Sequence, residues 1–189
     1  ITNTLKVGFT VGIFSTIIGL LFAYVEVYVK VRTKFMSGLF QVVSMLPGVS
    51  PPFVLSLSMI MLFGKAGIIT RYLLKIYDNS VYGFWGITIV QTLTFFPVCY
   101  MMLKGLLKNI DPSLEEAARD LGARGFQTFL HVTLPLAWPG VAAGALLALT
   151  LSLDDFVVTF FTAGPGATTL PLYIYSSVKL GVSPKVHAL

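Results

Sequence analysis

Four stretches of this chain are apolar for long enough to cross a hydrocarbon layer, and short polar runs separate them. The first, residues 5–29, holds no charge between positions 7 and 25, and Gly8 and Gly12 stand four apart with Gly19 further along the same helix. Small residues at that spacing let a neighbouring helix come close. The second, residues 35–63, is interrupted by Pro47-Gly48-Val49-Ser50-Pro51-Pro52, which removes backbone donors and predicts an irregular or kinked stretch at membrane depth. Irregular backbone there must be surrounded by protein or by a water-filled path. The third, residues 81–103, carries Pro97 as a kink, and the fourth runs over residues 135–161.

Two further stretches are mixed. In residues 65–80, Arg71 and Lys75 flank an apolar stripe of Ile68, Ile69, Tyr72, Leu73 and Ile76, the pattern of a short amphipathic helix at the interface. Residues 169–189 are punctuated by Pro171, Gly181 and Pro184, which predicts a short helix and then the start of a fifth span. The fold class is therefore all-α integral membrane, a single transmembrane domain over residues 1–189 with about five spans. The chain begins at Ile1 and stops in an apolar run, so a longer product is expected, with one more span before the first segment and a completed one after Leu189.

Composition agrees, with 56% of residues apolar, 11% charged and a mean hydropathy of +0.84. The net charge of +5 sits beside helix ends rather than on a basic face interleaved with aromatics, so no nucleic-acid partner is expected. Lys30, Arg32 and Lys34 in the first loop, with Lys104, Lys108, Arg119 and Arg124 in the third, put seven basic residues on one side against six on the other. The compact first loop assigns that side to the cytoplasm. Cys99 is alone in an apolar run, which leaves no disulfide and no cysteine metal site. His131 and His187 have no second ligand at metal spacing, and Trp85 and Trp138 suit interfacial anchors.

The loop over residues 104–134 is too long for a turn. Asp111 before Pro112 suits an N-cap with proline at the first helical position, Ser113 with Glu116 offers a capping box, and Gly122 suits the left-handed residue that ends a helix. Leu114, Ala117, Ala118 and Leu121 fall on roughly one face, and a second helical piece over residues 126–132 leads to Leu134-Pro135. Such a module presents a ridge to something outside the membrane.

Glu116-Ala117-Ala118, Gly122, Val132 and Leu134-Pro135 resemble in identity and spacing the EAA signature of the permease subunits of binding-protein-dependent ABC importers, with valine where isoleucine is usual. The order of spans resembles the core of the type I, MetI-like, importer permease fold. That resemblance implies that residues 115–125 form the coupling helix, with Glu115, Glu116, Ala117, Ala118, Asp120, Gly122 and Arg124 meeting a nucleotide-binding subunit. It further implies an ABC ATPase dimer, a second homologous permease subunit in a heterodimer and a substrate-binding protein as partners, and a bacterial inner membrane as location. The chain has no glycine-rich phosphate loop, so it does not itself hydrolyse ATP; the resemblance implies a transport subunit rather than an enzyme, with no cofactor bound by this chain and ATP and Mg on the partner ATPase.

The fourth segment holds the costliest residues for a membrane, Asp154 and Asp155, between Ser152 and Thr159. On one helix Gly144, Ala148, Ser152, Asp155, Thr159 and Thr162 would form a narrow stripe, lining either a path or a tight helix contact, with Asp154 turned about 100° away. Residues 151–158, with Gly164-Pro165, 170–176 and 178–184, are similar to the spermidine/putrescine importer permeases of the C-type. That similarity implies a polyamine cation as substrate, with Ser152, Asp154, Asp155 and Thr159 along its path, while iron(III), sulfate and sugar importers share the fold. An intramembrane aspartyl protease needs facing carboxylates from two helices, which no second span supplies. An ion-coupled secondary transporter would use the proline break and the aspartate pair as ion sites but has no use for the external helix.

Overall fold

The computed structural model describes residues 1–28, 34–64, 66–73, 75 and 82–179, and these are helical without a strand. In chain order they form α1 (Thr2–Tyr28), α2 (Lys34–Val49), α3 (Pro52–Phe63), α4 (Phe84–Lys108), α5 (Pro112–Asp120), α6 (Gly125–Thr128), α7 (Leu134–Asp154), α8 (Val157–Thr162) and α9 (Leu170–Lys179). A π turn at Phe129–Thr133 joins α6 to α7, giving one apolar helix over Gly125–Asp154. With Thr2–Tyr28 and Phe84–Lys108 it is one of three helices long and apolar enough to cross a bilayer. Lys30, Arg32, Gly181, Pro184 and most of the 65–80 stretch beyond the π turn at Ile69–Leu73 lie outside the described residues.

Helices α1, α4 and α7 pack together as the core, and the glycines of α1 decide how closely. A Cβ added at Gly12 would stand 2.9 Å from the Ala145 carbonyl oxygen of α7, and one at Gly19 would stand 2.8 Å from the Tyr100 amide nitrogen of α4. Two glycines seven positions apart thus seat one helix on two neighbours, backbone to backbone. Around them Val7, Val11, Ala23, Ile87, Tyr100, Leu103, Leu107 and Ala137 are buried. Several buried hydroxyls return to main-chain oxygens: Thr88 donates to Phe84 O at 2.8 Å, Thr94 to Val90 O at 2.8 Å and Ser15 to Thr92 O at 3.4 Å. With no water at that depth this is how a span keeps a threonine.

The prolines break helices selectively. Pro47 and Pro97 stay inside α2 and α4, and Gly48 abuts Pro97 where the two helices meet. The break of the second segment falls instead at Ser50-Pro51, where Pro51 is extended (φ −57°, ψ 137°) and Pro52 opens α3. Pro47 and Pro97 each remove one donor, whereas Pro51-Pro52 removes two in succession and confines both φ angles as well as ψ at Pro51. The fourth segment is not one helix either. Asp155 is extended (φ −74°, ψ 105°) between α7 and α8, so the stripe expected along a single helix is cut at Asp155, although Gly144, Ala148, Ser152, Thr159 and Thr162 all remain buried. They make a helix contact.

At one end of the bundle lie the start of α1, the start of α4 and the α8–α9 loop, stitched by Gly83 N to Thr162 O (3.0 Å), Asn3 Nδ2 to Gly166 O (2.8 Å) and Leu170 N to Thr4 Oγ1 (2.8 Å). The opposite end gathers the last turns of α1 and α4 with α5 and α6, the grouping that the loop charges imply. There Lys104 Nζ stands 2.6 Å from Glu26 Oε1 and 3.3 Å from the Tyr100 hydroxyl, which itself donates to Glu26 Oε2. A charge pair in so sheltered a place survives because each member has a partner.

This packing sets two expected outcomes, both read from thermal unfolding in detergent. Gly19→Ala should cost about 1–3 kcal/mol from overpacking, while Gly144→Ala, whose added Cβ meets no atom within 4 Å, should be neutral or gain up to about 1 kcal/mol of helix propensity. Lys104→Met alone should cost about 1–3 kcal/mol by leaving Glu26 with the Tyr100 hydroxyl as its remaining partner. The double variant Glu26→Gln/Lys104→Met should recover most of that.

Candidate functional site

Helix α5 is specified at both ends by its own side chains. Asp111 Oδ1 accepts from the Ser113 amide at 2.9 Å, and Pro112 occupies the first turn, so the cap is Asp111 and the Ser113–Glu116 box does not form. The Ser113 amide holds the Asp111 carboxyl below the usual carboxylate range. At the other end Gly122 is left-handed (φ 88°), its amide donates to Arg119 O at 2.8 Å and Ala123 N donates to Ala118 O at 3.0 Å, the Schellman arrangement. The chain then re-enters a helix at Gly125, with Arg124 N donating to Gln127 Oε1 at 2.9 Å.

From Gly125 onward the chain is continuous helix rather than a flexible connection. Pro135 cannot donate, and just before it Leu134 N bonds to Phe129 O in a five-residue π turn, so the helix absorbs the proline by widening. The second helical piece expected over residues 126–132 is thus the first part of the long Gly125–Asp154 helix, and the loop expected over residues 104–134 shortens at both ends.

On α5 the side chains of Leu114, Glu116, Ala117, Arg119 and Asp120 are exposed, Ala118 is half-buried, and Glu115 faces inward. Beyond it Arg124 is exposed, Leu121 is 90% exposed and Phe126 is 68% exposed. A cleft of about 410 Å³ between the two short helices is lined by Ala118, Leu121, Gln127, His131 and Val132. Two large apolar side chains in water beside a concave surface are the profile of a docking site. Of the residues expected to meet a nucleotide-binding subunit, Glu116, Ala117, Asp120, Gly122 and Arg124 are exposed, Ala118 is half-buried beside the cleft and Glu115 is buried.

Within the membrane the residues Ser152, Asp155 and Thr159 come together around Gln91 of α4. Gln91 is 0% exposed; its Oε1 accepts from Ser152 Oγ at 2.6 Å, and its Nε2 donates to Asp155 Oδ2 at 2.8 Å and lies 3.5 Å from Thr159 Oγ1. Asp155 Oδ1 also accepts from Val158 N at 3.3 Å, and its carbonyl accepts from Thr159 Oγ1 at 2.9 Å, so this carboxylate organises the start of α8. Asp154 is left out of that knot and is exposed. It borders a groove of about 530 Å³ with Phe156, Pro171, Ile174 and Tyr175, in which the Phe156 and Tyr175 rings are 4.7 Å apart.

Gln91 escaped the reading of the sequence, although a lone amide in the run Ile89-Val90-Gln91-Thr92-Leu93 is itself a signal, since polar side chains in a span are costly. Gln91→Leu should strand the partners of both ends of the amide and lower stability by about 1–3 kcal/mol for each group left unsatisfied. Thermal unfolding beside Leu93→Ala, a change at an exposed position of the same helix, would separate this from ordinary loss of bulk.

Comparison with known proteins returns the same architecture. Residues 15–182 match the family described as "Binding-protein-dependent transport system inner membrane component". The spermidine/putrescine transport system permease protein PotC of Escherichia coli is 41% identical over 177 residues, 93% of this chain and 61% of that protein. The ferric transport system permease protein FbpB of Actinobacillus pleuropneumoniae is 41% identical over 160 residues, 82% of this chain and 23% of that protein. The chain thus spans less than two thirds of the length of either relative. A chain of the inward-facing MetNI methionine ABC transporter superposes with a TM-score of 0.74 at 21% identity, covering 98% of this chain and 82% of that one, which speaks for the fold alone. A three-helix core with a capped external helix and a match over residues 15–182 leave one assignment: the chain belongs to the family of binding-protein-dependent transport system inner membrane components.

Proposed function

We propose that this chain is the permease subunit of an ATP-driven importer in a bacterial inner membrane, forming with a second homologous permease the path for a polyamine. A binding protein delivers the solute from outside, and a separate ATPase dimer, which carries ATP and Mg, docks on the ridge of Glu116, Ala117, Ala118 and Asp120 beside the 410 Å³ cleft. Gly122 and Arg124 shape the turn at the end of that ridge. This reading joins the exposed, firmly capped α5 to a helix that runs without interruption to the aspartate pair.

The single observation that carries the solute class is Asp154: an exposed carboxylate on a groove walled by Phe156 and Tyr175. An alkylammonium group finds there both a counter-charge and the negative face of aromatic rings, while its methylene chain suits the apolar wall. Ser152, Asp155 and Thr159 serve the same path one layer behind, fixing the backbone from which Asp154 projects. A second reading, supported by the similarity to the ferric permease, keeps the importer and changes the cargo to iron(III).

Uptake of radiolabelled spermidine and putrescine by the complete importer tests this. Asp154→Asn should lower uptake about ten- to hundredfold, the worth of one charge-assisted contact of ~1.5–3 kcal/mol. Asp155→Asn, whose single amide oxygen can still accept from one of Gln91 and Val158, should lower it less, because Asp155 lies behind the groove rather than on it. Undiminished uptake in both variants would sink the acidic path, and uptake of iron(III) but not of polyamine would favour the second reading.

A further inference from the structure

Of the nine residues of α5, only Glu115 is buried. It is 9% exposed and is the one charged side chain buried among the described residues. Its Oε1 accepts from Thr133 Oγ1 at 3.0 Å, and Thr133, 2% exposed, closes the π turn at the base of α7. The Tyr28 hydroxyl, in the last residue of α1, is a hydrogen-bonding neighbour of both Glu115 and Thr133. One turn earlier in α1 the Tyr24 ring meets Phe129 of the same π turn with centroids 4.5 Å apart. Arg119 gives only a loose ion pair with Glu115, Nη2 to Oε2 at 3.8 Å, and is largely exposed.

A nine-residue helix with no buried apolar side chain has little stability or orientation of its own. Its two covalent ends are turns, one of them at the left-handed Gly122. The element that fixes its attitude is therefore the carboxylate, which needs donors to stay inside and takes them from two different spans. We propose that Glu115 is a positioning residue for energy coupling: it pins α5 to the junction of α7 and α1, so that a displacement of α5 reaches both spans at one point. The inference rests on the reading of α5 as the helix an ATPase contacts, and it moves Glu115 from the contact ridge to the strut behind it. Glu116, next in sequence and exposed, keeps the outward role.

The test uses the complete importer in proteoliposomes, with the binding protein carrying spermidine, and measures ATPase retention, ATP hydrolysis and solute moved per ATP. Glu115→Ala should retain the ATPase and hydrolyse ATP while the solute-to-ATP ratio falls at least tenfold. Glu115→Gln, still able to accept from Thr133, should restore most of that ratio. Thr133→Val should lower it too and add little to Glu115→Ala, because both remove one contact. Wild-type ratios in Glu115→Ala and Thr133→Val, or loss of the ATPase from both Glu115 variants, would overturn the proposal. Hydrogen exchange of the α5 amides in the membrane chain without an ATPase adds an independent arm. Exchange at least tenfold faster in Glu115→Ala than in Glu115→Gln supports the strut, and equal exchange refutes it. A wild-type chain that captures no ATPase would instead remove the parent reading, whatever the exchange result.

Discussion

Everything in this chain hangs on the approach of α1 to its neighbours at Gly12 and Gly19, where main chain meets main chain without an intervening side chain. In hydrocarbon, helices gain little from hiding apolar surface, so close van der Waals contact and internal hydrogen bonds must hold them together. The approach sets the depth of the polar elements as well. Because α7 is drawn against Gly8 and Gly12 through Leu153, Leu149 and Ala145, its last turn arrives where Gln91 of α4 can reach Ser152 and Asp155. At the other end Gly19 draws α4 in, and Glu26 meets Lys104 and Tyr100 in the next turns.

The main spans, their order and the capped external helix were legible in the sequence, because each depends on neighbours in the chain: uninterrupted apolar runs, a proline after an aspartate, a glycine where a helix must stop. The partners were harder to read. Proline marks a place where a helix can end, but Pro47 and Pro97 are absorbed while Pro51-Pro52 ends α2, and the difference lies in how many donors and how much ψ freedom are lost together. Asp155 was readable as a costly charge in a span. Its service as a local backbone acceptor at a helix break depends on Gln91, sixty-four positions away in sequence.

The adjacent pairs Glu115-Glu116 and Asp154-Asp155 show the same division. Within each pair the sequence is symmetrical, yet one carboxylate turns inward to hydroxyl or amide donors and the other faces out. In α5 adjacent side chains diverge by about 100°, and at the end of α7 the extended backbone of Asp155 turns it away from Asp154, so the member that faces a neighbouring helix leaves its twin pointing elsewhere. The inward member fixes the frame. The outward member is then presented at a defined place, which a flexible loop could not do with the same economy of residues.

The π turn at Phe129–Thr133 also decides where along this helix a change in chain length is felt. Each residue of a helix advances the azimuth by about 100°, and a π turn holds one residue more than an α turn would. Deleting a single residue there would restore an ordinary turn and leave the phase of everything before it nearly unchanged, whereas deleting one from the regular α-helix of α7 would rotate everything before it, Glu115 and Leu121 included, by about 100° about the α7 axis. A one-residue deletion is thus absorbed at the π turn, whereas a one-residue insertion or deletion in the regular helix beyond it resets the compass bearing of the external helix. The length of α7 is in that sense an angle written as a count of residues.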